Sequence, residues 1–230
     1  NIFNLHVYSA CLMGQLEIAH LTKTYGKYMV ASEETMDGPG FPYNPILSNV
    51  TNDPFISDSK YASNYVEIFK DFYSGPAWSG ADTLSAIDLS KIQALTYSVN
   101  TLATALIINS ANYSDAIRNA KNMSQEFPHP TIFGGTYDYR DLGHFAKLIK
   151  ENINDSIIDT LALDVINKVN ESVVNNWAGP GHAPNATGLS IYLPQHKSDY
   201  DNDYNLTNFY TQTTWDEFIT GQQAPDYRIL

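Results

Sequence analysis

A single thiol, Cys11, and six imidazoles, at His6, His20, His129, His144, His182 and His196, are the groups in this 230-residue chain most suited to covalent chemistry. A lone cysteine forms neither an internal disulfide nor a cysteine-based zinc site, so it is either a small core residue or a nucleophile. A nucleophilic thiol needs a base within hydrogen-bond reach, and histidine is the usual one. No histidine has a spacing to Cys11 that argues for it. His6 lies five residues back, His20 lies more than two helical turns ahead, and His129 and His182 stand in Pro-rich stretches.

The elements around Cys11 decide between core and nucleophile. Ile2–Ala10 reads as a short buried strand, Cys11–Lys27 as a helix with Leu12, Leu16 and Ala19 inward, and Tyr28–Ser32 as a second strand. Strand, helix, strand is a parallel crossover unit. On this reading Cys11 sits where a strand ends and a helix begins. Unpaired N–H groups and the helix dipole there favour a thiolate, and Gly14 lets a substrate approach. A parallel sheet is normally covered and paired on both sides, so a unit opening at residue 2 calls for further strands from an upstream polypeptide.

Further along, Asp37–Pro42 (DGPGFP) reads as a loop. Leu84–Leu89 leads to a helix over Lys91–Asn109, with Ser90 as its N-cap. Asp141 caps a helix carrying Leu142, Phe145, Leu148 and Ile149, and Ile158–Val173 marks another that ends near Trp177. Gly188–Leu193 reads as a strand, and Thr214–Glu217 as a capping box for a last short helix. The division is 1–90, carrying the nucleophile, and 91–230, helices with a C-terminal strand and helix packed on that core.

The formal charge of −12 sets aside nucleic acid and anionic membranes as partners and favours basic peptides. No apolar run reaches the ~20 residues of a membrane span. Seven Asn-x-Ser/Thr sequons, at Asn49, Asn112, Asn122, Asn154, Asn170, Asn185 and Asn205, point to an exported, extracellular or cell-surface glycoprotein.

Cys11-Leu-Met-Gly14 with Glu17 and Ala19, Val30-Ala-Ser-Glu-Glu34 and Gly38-Pro-Gly-Phe-Pro-Tyr43 together resemble the clostripain family of cysteine peptidases. Thr83–Ser90, Asp141–Phe145, Gly188–Pro194 and Thr214–Phe218 are similar to its later blocks, in the same order. The resemblance implies an α/β caspase-like fold, a central, largely parallel sheet flanked by helices and completed by a missing N-terminal segment. It implies a self-processed, two-chain endopeptidase working through a Cys–His dyad, with Cys11 as nucleophile. The His belongs to an N-terminal, light-chain-like fragment, which is then the obligate partner beside the peptide substrate. The oxyanion falls to backbone N–H groups at Cys11 and Gly14.

The family's habit is cleavage after Arg or Lys. It usually carries Asp two residues before the cysteine, where this chain has Ser9. Ser9, Ser32, Glu33 and Asp37 are the residues expected to wall the P1 pocket, with Asp37 the foremost acid. A non-basic preference and a catalytically silent binding module are the alternatives. No cofactor is required. Calcium dependence occurs in some relatives, and Asp199, Asp201 and Asp203 alternate suggestively but lack the Gly and terminal Glu of an EF-hand loop.

Overall fold

The computed structural model describes residues 2–75, 83–127, 138–179 and 183–221. The chain opens with β1 (Phe3–Val7), α1 (Leu16–Thr22) and β2 (Gly26–Ala31), followed by α2 (Tyr43–Asn52), α3 (Asp58–Tyr73) and β3 (Thr83–Asp88). Then come α4 (Ile92–Ile108), α5 (Ser110–Met123), β4 (Glu126–Phe127), β5 (Tyr139–Asp141), α6 (Leu142–Asn152), α7 (Ser156–Ser172) and β6 (Val173–Ala178). β7 (Ser190–Tyr192), α8 (Asn208–Gln212) and α9 (Trp215–Thr220) complete the described chain.

The main sheet has the order β1-β2-β3-β6, and a small second sheet the order β4-β5-β7. β1 and β2 are parallel, as a crossover unit demands. The largely parallel sheet expected from sequence is corrected to a mixed one, because β2 with β3 and β3 with β6 run antiparallel. Alternation along a strand reports which face is buried and not the direction of its neighbour.

That alternation splits two cores across the sheet. Met29, Ala31 and Ile87 face a large core with α1, α4, α6 and α7. Val30, Leu84 and Ala86 face a smaller one in which α3 supplies Ala62, Val66 and Phe69. The large core draws on both sides of position 90, from Leu16 and Met29 to Leu95, Phe145 and Trp215. No described helix is long and apolar enough to cross a membrane.

Four local expectations change. The helix expected over Cys11–Lys27 is only Leu16–Thr22, because Leu12 adopts a left-handed φ of 60° and Gly14 is hydrogen-bonded to the strand end at Ser32. The helix expected to reach Trp177 stops at Ser172, and Val173–Ala178 becomes a strand against β3. Asp88, not Ser90, caps the turn before α4, its Oδ1 accepting from Ser90 N–H at 2.9 Å. Asp141 caps α6 as expected, accepting from His144 N–H at 2.6 Å. Thr214 precedes α9, but its hydroxyl donates to Asn100 Oδ1 at 3.0 Å rather than capping the helix.

Candidate active site

Cys11 lies in a turn beyond the carboxyl end of β1, exposed to solvent. The residue after it creates this placement. A left-handed φ in a non-glycine residue costs about 1–2 kcal/mol. Leu12 offsets that cost by burying its side chain, 6% exposed, against Phe127 and Ala183. With Leu12 turned inward, Cys11 is turned outward.

Two backbone bonds hold the turn to the segment after β2. Leu12 N–H donates to Glu34 O at 3.1 Å and Gly14 N–H to Ser32 O at 2.6 Å. Gly14 is required there: a Cβ would stand 2.8 Å from both Ser32 C and Glu33 N. Gly14 O in turn accepts from Ser190 N–H at 2.9 Å, tying the turn to β7. Met36 N–H points at the sulfur, with N to Sγ 3.4 Å.

This geometry corrects several sequence expectations. Cys11 is not in the first turn of α1, which begins five residues later at Leu16, so the helix end does not act on the thiol as expected. Gly14 serves close packing rather than the oxyanion, since its N–H is committed to Ser32. Cys11 N–H meets no acceptor among the described residues.

Ser32 and Glu33 do not wall a pocket. Both are buried, at 0% and 1% exposure, with Ser32 Oγ donating to Glu34 O at 2.9 Å and Glu33 Oε2 accepting from Gly188 N–H at 2.9 Å. Ser9 and Asp37 remain at the surface. Ser9 is exposed, and its Oγ lies 3.7 Å from where a Cβ on Gly40 would stand. Asp37 is half-buried and opens the turn that ends at Gly40, its O accepting from Gly40 N–H at 3.0 Å. Tyr73 OH braces that turn through Gly40 O at 2.7 Å. Ser9, Cys11 and the Met36–Gly40 loop thus form one rim.

No described histidine hydrogen-bonds Cys11. His6 donates to Tyr25 O at 3.1 Å, at the other end of the parallel pair. His20 is 2% exposed between Thr96 Oγ1 and Gln212 Oε1, each at 2.9 Å. Gln212 Oε1 can only accept, so Nε2 carries the proton and Nδ1 accepts from Thr96, and burial keeps the ring neutral by lowering its pKa. His144 Nδ1 accepts from Gln125 N–H at 2.9 Å, and His196 is exposed ahead of a 3-10 turn. His129 and His182 lie outside the described residues.

The aspartates considered for calcium are used locally. Asp199 Oδ2 accepts from His196 N–H at 3.1 Å and Asp201 Oδ1 from Asp203 N–H at 2.9 Å. Among the described residues no three His, Cys, Asp or Glu side chains converge on an ion position. Sequence reasoning missed the left-handed turn at Leu12, the Met36 N–H and the burial of three acids, Glu17, Glu33 and Asp141, because no local pattern marks them.

Cys11 is thus an exposed thiol beyond the carboxyl end of a strand of an α/β sheet. The chain belongs to the clostripain family, peptidase family C11, whose model matches residues 1–221. Its fold is similar to an inactive zymogen C11 protease from Parabacteroides distasonis, with TM-score 0.69 and 17% identity over 91% of this chain and 58% of that one. It is similar to a cysteine protease from B. fragilis, TM-score 0.63 and 17% identity, over 96% of this chain and 90% of that one. It is also similar to a clostripain from Bacteroides thetaiotaomicron in complex with a peptide inhibitor, TM-score 0.59 and 14% identity, over 95% of this chain and 87% of that one. No curated protein matches the chain. The chain is therefore a clostripain-family protein of α/β, caspase-like fold.

Proposed function

We propose that the chain is the nucleophile-bearing part of a cysteine endopeptidase. The observation that carries this is the outward-turned Cys11 beyond the end of β1, with Met36 N–H aimed at its sulfur. The thiolate attacks the scissile carbonyl and an imidazolium protonates the departing amine. Water, deprotonated by the same imidazole, then releases the acid from the thioester and restores the thiol. Cys11 N–H is the oxyanion donor this chain supplies.

The imidazole comes from an N-terminal, light-chain-like segment produced by processing. In support, β1 pairs only with β2 among the described strands, and its first residue Phe3 and the preceding Ile2 are 65% and 60% exposed. That edge would accept a further strand. The protein is exported, a reading that the sequons and a relative titled a secreted C11 protease support. The preferred P1 residue is Arg or Lys, held by Asp37, the remaining rim acid of the expected set.

Ser9 favours a second reading, a peptidase fold without activity, since it removes the carboxylate that the resemblance places two residues before the nucleophile. A peptidyl acyloxymethyl ketone with Lys at P1 separates the two. Incubated with the protein and its co-purifying chains, it adds its peptidyl mass at Cys11, and Cys11→Ala abolishes the adduct. A well-folded complex that gains no mass would end the peptidase reading.

A further inference from the structure

The two bonds that suspend the nucleophile turn end on the residues either side of Glu33, at Ser32 O and Glu34 O. The Glu33 side chain turns the opposite way, into the interior. Its Oε2 accepts from Gly188 N–H at 2.9 Å, and its Oε1 meets no N–H or O–H donor. Gly188 is itself fixed: its O accepts from Ser85 Oγ at 2.6 Å, and its φ of 103° suits only glycine.

Beside Glu33 stands Asp141, at the mouth of α6. Asp141 already receives His144 N–H at 2.6 Å, Thr187 N–H at 2.5 Å and Thr187 Oγ1 at 2.9 Å. The two carboxyl groups are neighbours, held on the consecutive N–H groups of Thr187 and Gly188. Two carboxylates are acceptors only, so a bond between them needs one proton. Asp141, surrounded by donors, keeps the charge. Glu33 keeps the proton, on the oxygen that no donor reaches.

The charged groups facing Glu33 agree. They are Asp141 from the β5–α6 junction and Glu34 from its own segment, both acids, while residues 187 and 188 offer N–H groups and a hydroxyl. Burial first, and the Asp141 charge second, hold the Glu33 carboxyl well above the usual carboxylate range. Asp141 itself is raised to about 6, chiefly by burial.

We propose that Glu33 is a positioning residue for Cys11: the proton it shares with Asp141 seats the Ser32–Glu34 segment and, through the two carbonyls flanking Glu33, holds the nucleophile turn in place. Loss of that proton sets two adjacent buried anions against each other and releases the turn, so reactivity at Cys11 has an alkaline limit set by Glu33. This rests on the reading of Cys11 as nucleophile.

Glu33→Gln tests it, because the amide donates to Asp141 and accepts from Gly188 without titrating. Second-order labelling of Cys11 by the P1-Lys acyloxymethyl ketone is followed from pH 5 to 10. Glu33→Gln keeps the wild-type rate at pH 6 and moves the alkaline limb up by one pH unit or more. Glu33→Leu, which neither donates nor accepts, labels at least tenfold more slowly throughout. Superimposable wild-type and Gln profiles would overturn the proposal. If no variant is labelled at any pH, the peptidase reading fails by itself, and melting then decides the role of Glu33. The melting temperature of the Gln variant minus that of wild type rises by several degrees from pH 6 to pH 9, and an unchanged difference would refute the shared proton.

Discussion

Glu17 carries the clearest pH-dependent stability in the molecule, and Glu17→Gln isolates it. The side chain lies on the inner face of α1 and is 7% exposed. Its Oε1 accepts from Tyr192 N–H and Tyr204 OH, each at 3.0 Å, while Oε2 is buried without a partner. Burial raises its pKa from 4.5 to about 7, against the lowering effect of those hydrogen bonds. A carboxyl with a raised folded-state pKa favours folding below its unfolded value and loses that advantage as pH rises towards the folded one. At about 1.4 kcal/mol per unit, the interval from 4.5 to about 7 is worth about 3 kcal/mol. Gln keeps the acceptor for Tyr192 and Tyr204 and does not titrate. Urea unfolding of both proteins at pH 4 and pH 8 reads the effect. The stability of Glu17→Gln relative to wild type should rise by about 3 kcal/mol between the two, or about 6–12 °C in melting temperature for a chain of this size. A difference that stays constant within about 1 kcal/mol would mean that Glu17 is ionised in the fold and that burial does not govern it.

Two further changes probe the nucleophile turn and the rim. Gly14→Ala puts a methyl group 2.8 Å from the backbone at Ser32 and Glu33, so it should lower the melting temperature and slow Cys11 labelling at least tenfold; a wild-type melt would show that the approach is not tight. Ser9→Asp restores a carboxylate on the rim and should raise kcat/KM for Lys at P1 over Leu at P1 by tenfold or more, most at low salt, and an unchanged ratio would place the P1 pocket elsewhere.

Where structure follows from local chemistry, the sequence shows it. The Asp141 cap, the stripe that becomes α4 and the strand Ser190–Tyr192 are all legible, and the lone Cys11 falls just past the end of the first strand. What escapes is decided by distant contacts. Nothing in a leucine announces a left-handed φ; Leu12 adopts one because Phe127 and Ala183 receive its side chain. Val173 continues the apolar stripe of α7, yet pairing with Ile87 of β3 makes it the first residue of a strand. Sequence places Glu33 on a pocket wall, and only distant contacts, Thr83 Oγ1 accepting from the N–H groups of Glu33 and Glu34 and Gly188 N–H donating to Glu33 Oε2, show that this acid pair is buried.

The displacement of α1 from Cys11 changes what must activate the thiol. A helix that began at the cysteine would supply several unpaired N–H groups and the positive end of a dipole. The observed turn is met by one N–H, from Met36 at 3.4 Å, in place of a helix end. On the proposed reading, more of the activation therefore falls to the imidazole. The edge of β1 left unpaired among the described strands offers a route for it, because Cys11 lies just beyond the end of that strand. A parallel strand added there would end beside the sulfur, so docking of the His-bearing segment and completion of the dyad become a single event.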